Sequence, residues 1–240
     1  MNIHENIKRV QDCIAASCAR VDRDPSEITL VAVSKQQSAA AILEAIEAGL
    51  KHLGENRVEE GIAKIPQVNE RANTDVIWHM VGHVQSRKAK QVVSHFDVVQ
   101  SVDSLKLAKR LSRFACEGNR SLNLLLEINV SGEASKYGFA GYNWQRDDSV
   151  KERLWREARG IAALPNIETT GLMTMAPFAA EEKTIRRTFA DLRGLRDDLA
   201  REVGLPLPVL SMGMTDDYHI AIEEGATMIR VGRAIFGERA

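Results

Sequence analysis

Short apolar runs rich in β-branched residues alternate along the chain with longer segments in which apolar positions recur every three or four residues. The runs are typical of strands buried on both faces, and the longer segments are typical of helices with one buried stripe. Eight strands are predicted, at residues 28–35, 50–56, 76–82, 97–102, 122–130, 168–175, 209–214 and 227–232. Helices are predicted at residues 3–22, 39–48, 57–70, 86–94, 104–116, 149–163, 181–203 and 216–224.

This alternation favours an α/β fold, a single (β/α)8 TIM barrel over residues 1–240 with an extra helix at the N-terminus. An open doubly wound sheet is the alternative, but no GxGxxG sequence follows the first strand and no Walker sequence is present. Residues 233–240 are predicted to be too short for a full closing helix. The N-terminal helix is therefore expected to cover that gap.

The balance of acidic and basic residues argues against some classes of binding partner. The chain has 32 basic and 33 acidic residues and a net charge of −1, so no overall field attracts nucleic acid or a membrane surface. A local anion site remains possible on such a surface. No partner of either kind is predicted, and the protein is expected to be a monomer.

The three cysteines, Cys13, Cys18 and Cys116, are scattered and form no CxxC pair. They are interpreted as reduced thiols, and no metal site is predicted. The N-terminus reads as an amphipathic helix rather than a secretion leader, and no apolar run reaches 18 residues. These features predict a cytoplasmic protein.

Candidate chemistry begins with Lys35, which ends the first predicted strand at the barrel face where function resides. One interpretation is a lysine whose stem covers the strand end while its amine reaches solvent. The other is an amine in a partly desolvated pocket, where a lowered pKa allows it to form a Schiff base with a carbonyl group.

The loops after the seventh and eighth strands occupy the position where such barrels bind phosphate. The first loop contains Ser211, Met212 and Gly213, and the second contains Gly232 and Arg233. Their glycines could simply make tight turns. Together with Lys35, however, the two loops favour a ligand with both a phosphate and an aldehyde, such as pyridoxal 5′-phosphate.

Arg230 lies inside the eighth strand, where a buried guanidinium needs an acceptor. The pyridine nitrogen of the cofactor is one candidate, and a carboxylate elsewhere in the barrel is the alternative. Lys136 is interpreted as a solvated lysine or as a rim amine that contacts free cofactor. His79 and His83 are predicted to lie too far apart on one strand face to share a metal.

Seven segments, in order, resemble the pyridoxal phosphate homeostasis proteins (YggS/PROSC type), a likeness that covers nearly the whole chain. They are VAVSK (31–35), GEN (54–56), WHMVGHVQS (78–86), SKYG (135–138), GLMT (171–174), LSMGMTDD (210–217) and IRVGRAIFG (229–237).

The resemblance implies a barrel like the N-terminal domain of alanine racemase, of the type III class of pyridoxal phosphate folds, without the C-terminal β domain. It implies the cofactor as an aldimine on Lys35, with ring contacts near Asn56 and with Arg230 against the ring nitrogen. The phosphate contacts that it implies are Ser211, the backbone around Met212 and Gly213, and Gly232–Arg233. Many relatives have a small hydroxyl residue in place of Arg233.

The function that the resemblance implies is intracellular storage, buffering or delivery of pyridoxal phosphate, with no catalytic residues. Apo forms of enzymes that depend on the cofactor are the expected recipients. An amino-acid racemase is the alternative, and it needs a second base on the opposite face of the substrate. The three tyrosines, Tyr137, Tyr142 and Tyr218, are placed in loops or in a short helix of the barrel itself.

Overall fold

The computed structural model describes residues 2–237, and its centre is a closed barrel of eight parallel strands. The strands of this part of the chain are β1 (Thr29–Val33), β2 (His52–Glu55), β3 (Ile77–Met80), β4 (Val98–Val102), β5 (Leu122–Asn129), β6 (Phe139–Ala140), β7 (Ile167–Met173), β8 (Val209–Ser211) and β9 (Met228–Val231). All but β6 form the barrel in chain order, and β9 pairs with β1 to close it. The predicted (β/α)8 fold is confirmed.

Helices surround the barrel. They are α1 (Ile3–Ala19), α2 (Ala39–Glu47), α3 (Val58–Asn69), α4 (Ala89–His95), α5 (Leu105–Glu117), α6 (Asp148–Ala162), α7 (Glu182–Val203), α8 (Tyr218–Glu223) and α9 (Arg233–Phe236). Serine side chains cap the start of two of them: Ser38 accepts a hydrogen bond from Ala41 N, and Ser104 accepts one from Leu107 N. No helix within residues 2–237 is both long and apolar enough to cross a membrane.

The N-terminal helix covers the seam of the barrel, as predicted. The buried apolar stripe of α1 includes Ile7, Val10 and Ile14, and the helix packs against α8, α9 and α2. The Asn6 side chain donates a hydrogen bond of 2.8 Å to the carbonyl oxygen of Ile235. The four-residue helix α9 that carries Ile235 was not predicted, because one helical turn gives no periodic signal.

Some element boundaries differ from those predicted. The first strand ends at Val33, so Lys35 lies in the turn that follows it rather than in the strand itself. A 3₁₀ turn at Ser86–Lys88 precedes α4. The two-residue strand β6, which was not predicted, pairs with the end of β5 at Ile128 and Asn129.

The apolar core has two parts. The larger part lies between the outside of the barrel and the helices, and a smaller cluster of Val31, Leu125, Met173 and Met228 fills part of the barrel interior. Branched apolar side chains usually dominate the interior of such barrels. Here it also contains polar groups, which bond to one another between strands that are not neighbours in the barrel; Gln100 on β4 and Ser211 on β8 are one such pair.

Candidate functional site

A cavity of about 550 Å³ opens at the end of the barrel where the strands finish. This volume is within the range of pockets that bind small molecules and cofactors. Its walls come from β1, β9 and the loops that follow six strands, and the residues that line it are Val33, Lys35, Gln37, Asn56, Val81, Met175, Phe178, Met214, Thr215, Asp216, Arg230, Gly232, Arg233 and Gly237. Five of the eight predicted site residues are therefore brought together: Lys35, Asn56, Arg230, Gly232 and Arg233.

Lys35 and Asn56 form one side of this cavity. Both also line a smaller neighbouring pocket of about 160 Å³, so they stand between the two spaces. Asn56 lies close to the segment that follows β3 because Gly82 in that segment lacks a side chain; a Cβ atom there would come within 2.1 Å of the Asn56 carbonyl oxygen. The absence of a side chain at residue 82 thus keeps the rim narrow beside Lys35.

A buried ion pair supports the backbone just before Lys35. Lys64 donates hydrogen bonds to the Ser34 carbonyl oxygen (2.7 Å) and to Oε1 of Glu55 (3.0 Å), and the Ser34 hydroxyl donates to the same Glu55 oxygen (2.6 Å). Burial raises the pKa of Glu55, and the Ser34 and Lys64 contacts partly offset that rise. Glu55 therefore orders the rim from outside the barrel, away from the cavity.

Arg230 is buried between β1 and β8 and lines the cavity. Its Nη1 donates to the Ser211 hydroxyl at 2.7 Å, and its Nη2 donates to the Thr174 carbonyl oxygen at 2.8 Å. Burial lowers the pKa of Arg230 to about 10, although the nearby charges of Asp217 and Glu127 oppose that change. The guanidinium therefore remains charged near neutral pH, and no carboxylate of the described residues forms an ion pair with it.

Three residues expected to contact phosphate do not line the cavity. Ser211 is fully buried and its hydroxyl lies inside the barrel, between Arg230 and Gln100. The Met212 side chain is fully buried, and its N–H donates to the Met228 carbonyl oxygen. Gly213 adopts φ +94°, and a Cβ atom there would approach the Ala221 Cβ to 2.6 Å. The prediction counted Ser211 among the residues of the phosphate loop, but Ser211 is the last residue of β8.

The loop segment that does reach the cavity is Met214, Thr215 and Asp216, directly before α8. Across from it stand Gly232 and Arg233, and Arg233 forms a hydrogen-bonded ion pair with the Asp216 carboxylate. Hydroxyl, backbone and guanidinium donors therefore gather at this edge of the cavity. This composition suits an anion.

The buried polar residues of the barrel interior, below the cavity, were not predicted from the sequence. Of His79 and His83, only His79 lies in this interior. His79 bonds to His52 and Gln100, and burial followed by the effect of His52 lowers its pKa to about 3. His83 lies at the rim, with its Nδ1 3.2 Å from Asp103 and its ring stacked on Tyr137. Residues 2–237 contain no group of three or more His, Cys, Asp or Glu side chains arranged to hold a metal ion.

Lys136 is not the solvated lysine of the first interpretation. Only 15% of its side chain is exposed, and its amine donates to the Met175 carbonyl oxygen (3.0 Å) and the Ser131 hydroxyl (3.2 Å) beside an ion pair with Glu133. These contacts attach the β5–β6 loop to the segment that follows β7. Since Met175 lines the cavity, Lys136 stands just behind its wall.

Comparison with known proteins identifies a matching family and similar relatives. The family described as alanine racemase, N-terminal domain, matches residues 2–240. A pyridoxal phosphate homeostasis protein of Pseudomonas aeruginosa is 42% identical over 237 residues, which cover 99% of this chain and 96% of the relative.

Solved structures agree. PipY of Synechococcus elongatus PCC7942, in a structure with PLP bound, is 38% identical with a TM-score of 0.79, covering 93% of this chain and 100% of PipY. An alanine racemase of Clostridium difficile 630 is 16% identical with a TM-score of 0.73, covering 99% of this chain and 57% of the racemase chain. The second likeness concerns the fold alone.

Proposed function

Since the chain belongs to the alanine racemase N-terminal domain family, and within it to the pyridoxal phosphate homeostasis proteins, we propose that it binds pyridoxal 5′-phosphate and stores, buffers or delivers it. The observation that carries this proposal is that Lys35 and Arg230 open onto one cavity of about 550 Å³, together with the loops after β8 and β9.

The residues of the cavity fit each part of the cofactor. Lys35 supplies an amine for the aldehyde, and Arg230 supplies a donor for the ring nitrogen, since only two of its five N–H groups are used by Ser211 and Thr174. Thr215, Gly232 and Arg233 supply the phosphate contacts. Asn56, beside Lys35, is placed to contact the ring.

When bound, the cofactor supplies an aldehyde that condenses reversibly with an amine and releases one water molecule. The chain's part is to present the Lys35 amine and to keep Arg230 cationic beside the ring nitrogen. A guanidinium donates but does not give up its proton, so the ring nitrogen stays unprotonated. A ring in that state withdraws electrons weakly, which suits holding the cofactor better than using it.

Access to the cavity supports exchange. Phe178, on the loop after β7, lines the cavity and is 92% exposed, and Met214 across from it is 37% exposed. A ligand at this position can be reached by water and by outside amines. Delivery to apo-enzymes is the partner relationship that this arrangement suits.

Racemisation lacks support from the residues around the cavity. Tyr137 stacks on His83, Tyr142 packs beside Gly132, and Tyr218 is buried in α8. None of the three is among the residues that line the cavity. A tyrosine base opposite Lys35 is therefore not found in the described part of the chain, and the proposed role is a non-catalytic one.

The proposal extends to cellular context. We place the protein in the cytoplasm, because Cys13, Cys18 and Cys116 are free thiols in the structure, and we propose that it is a monomer. Purified protein should pass through size exclusion as one chain whether or not the cofactor is bound.

A spectrum and a mapped adduct test the function. The purified protein is mixed with pyridoxal phosphate, its visible absorption is recorded, and borohydride is then added to fix the cofactor as a secondary amine. We expect one main pyridoxyl-peptide, containing Lys35, and we expect the Lys35→Ala variant to lose the visible band. A main adduct on Lys136 or Lys88, or no adduct at all, would contradict the proposal.

A further inference from the structure

A chain of hydrogen bonds crosses the barrel interior from Arg230 to His52. The Ser211 hydroxyl lies 2.7 Å from Arg230 Nη1 and 2.6 Å from Gln100 Oε1. Gln100 Nε2 lies 2.9 Å from His79 Nδ1, and His79 Nε2 lies 3.0 Å from His52 Nδ1. Since β4 and β8 are not neighbours in the barrel, the Gln100–Ser211 bond must span its interior.

The order of donors along this chain is fixed by its charged end. A guanidinium can only donate, so the Ser211 oxygen accepts from Arg230 and directs its own proton to the Gln100 carbonyl oxygen. The Gln100 amide must then present its NH₂ group to His79, whose Nδ1 accepts and whose Nε2 carries the proton toward His52. One orientation satisfies every member.

Burial makes this orientation costly to break. Ser211 and Gln100 are fully buried, and His79 is 1% exposed. Burial lowers the pKa of both His79 and His52, so both rings are neutral near pH 7 and His79 can act as the acceptor that Gln100 requires. Gln100 Nε2 also lies 3.2 Å from the Met228 sulfur, to which its second hydrogen can be donated. A buried polar network of this kind is rigid when each group is satisfied.

The same chain leaves the Ser211 hydroxyl with no proton to donate to a phosphate, because its one O–H is directed to Gln100. The hydroxyl oxygen also accepts from Arg230 Nη1, so both bonds of Ser211 are made inside the barrel. The opposite end of the guanidinium is fixed by the Thr174 carbonyl oxygen, and the Thr174 hydroxyl in turn donates to Ile128 at 2.7 Å. Arg230 is thus clamped from two sides at the cavity.

We propose that Gln100 is a positioning residue for cofactor binding: acting through Ser211, it fixes the guanidinium of Arg230 in the plane in which it meets the ring nitrogen. The inference rests on the proposed function and deepens it. Under this inference, Ser211 and Gln100 contribute to binding of the ligand's ring and not to binding of its phosphate.

Measuring two ligands distinguishes an effect on ring binding from an effect on phosphate binding. Dissociation constants for pyridoxal phosphate and for pyridoxal, which has no phosphate, are measured for wild type, Gln100→Leu and Ser211→Ala. We expect each variant to weaken both ligands by the same factor, about tenfold, the size expected for losing one hydrogen bond in a chain that ends on a charged group. The visible band of the complex should also shift, because the contact at the ring nitrogen has moved.

Two controls come from the same chain. Thr169→Val changes a buried hydroxyl that has no hydrogen-bond partner among the described residues, so it should change neither affinity. Arg233→Ala should weaken pyridoxal phosphate and leave pyridoxal unchanged. Thermal unfolding of each variant checks that the barrel has formed.

An Arg230→Leu background distinguishes positioning from general packing. In that background Gln100→Leu should have no further effect on either ligand, whereas a packing defect would persist. If Arg230→Leu does not fold, the ratio of the two affinities and the visible band decide. Wild-type affinity and spectrum in Gln100→Leu, or a loss confined to pyridoxal phosphate, would overturn the inference. Failure of wild type to form an adduct on Lys35 would instead remove the proposed function.

Discussion

Arg233 donates through Nη2 to both carboxylate oxygens of Asp216, at 2.7 and 2.5 Å, and so joins the loop after β9 to the loop after β8. Both residues line the cavity at its proposed phosphate edge. The side chains are 49% and 72% exposed, and a solvated pair of this kind contributes at most about 1 kcal/mol. If the proposed phosphate contacts hold, the Asp216 carboxylate therefore competes weakly with phosphate for Arg233.

The first prediction follows from that competition. Asp216→Asn should raise the affinity for pyridoxal phosphate by about two- to fivefold at low salt. The reason is that Arg233 no longer has to break its ion pair with Asp216 in order to contact the phosphate. The gain should shrink as salt is added. Pyridoxal, measured by the same titration, is the control and should bind as in wild type. Weaker binding of pyridoxal phosphate by Asp216→Asn would mean that the carboxylate mainly holds the loop in place.

A second prediction concerns Glu127, a buried carboxyl on β5. Burial raises its pKa to about 7, Asp103 adds to the rise, and Arg230 opposes it. Because the folded state keeps a proton that the unfolded chain has released, this group's contribution to stability is full below about pH 4.5 and is lost as the pH rises through about 7. Glu127→Gln should therefore become more stable relative to wild type across that window, by on the order of 3 kcal/mol at high pH.

Urea unfolding at several pH values measures this difference. Glu168→Gln, which changes an exposed side chain on β7, is the matched control. A constant difference between Glu127→Gln and wild type at every pH would show that Glu127 ionises alike in the folded and unfolded states.

A third prediction tests the ion pair behind Lys35. Glu55 is fully buried and the Lys64 side chain is 14% exposed, so Lys64→Met leaves a buried carboxylate without its cation. Removing one partner of a buried pair costs about 3–5 kcal/mol, and a loss of that order is expected in denaturant unfolding at neutral pH. The loss should lessen on acidification, because Glu55 then escapes its charge by taking a proton.

The exposed pair Lys88–Glu59 provides the comparison, since 61% of the Glu59 side chain is in solvent. Lys88→Met should change the free energy of unfolding by less than about 1 kcal/mol. Similar losses for the two lysine variants would show that burial of Glu55 does not decide the effect.

A fourth prediction concerns chemistry. With Arg230 as the proposed donor to the ring nitrogen and no tyrosine among the residues that line the cavity, we expect no multiple-turnover racemisation of L-alanine. Cofactor should instead pass to an added apo-enzyme, whose recovered activity can be followed over time. Rapid loss of chirality at catalytic protein concentrations, abolished by Lys35→Ala, would favour the racemase.

The barrel and half of its site follow from local signals in the sequence. Strand ends are visible as apolar runs that stop, and in this fold all strand ends meet at one rim, so Lys35, Gly232 and Arg233 could be placed together from the sequence alone. The family resemblance sharpened those assignments but did not create the pattern.

The interior could not be predicted in the same way. The partners Gln100 and Ser211 are 111 positions apart in sequence, and neither strand shows a clean alternation that says which side chain faces inward. Register shifts in the β4–β5 and β5–β7 pairings add to this ambiguity, because a one-residue shift exchanges the two faces of a strand. Ser211 was included in the predicted strand at residues 209–214 and was also expected to contact phosphate at the rim, whereas its side chain lies in the barrel interior.

The seam that α1 covers has a consequence for how the protein is made. β1 gains its second neighbour only when β9 pairs with it, and α1 packs on α8 and α9, so the first elements to leave the ribosome need the last ones. At roughly 5–20 residues per second, the roughly 200 residues between them take on the order of 10 to 40 seconds to synthesise. Until then α1 lacks its packing partners α8 and α9, and closure of the barrel waits for the final strand.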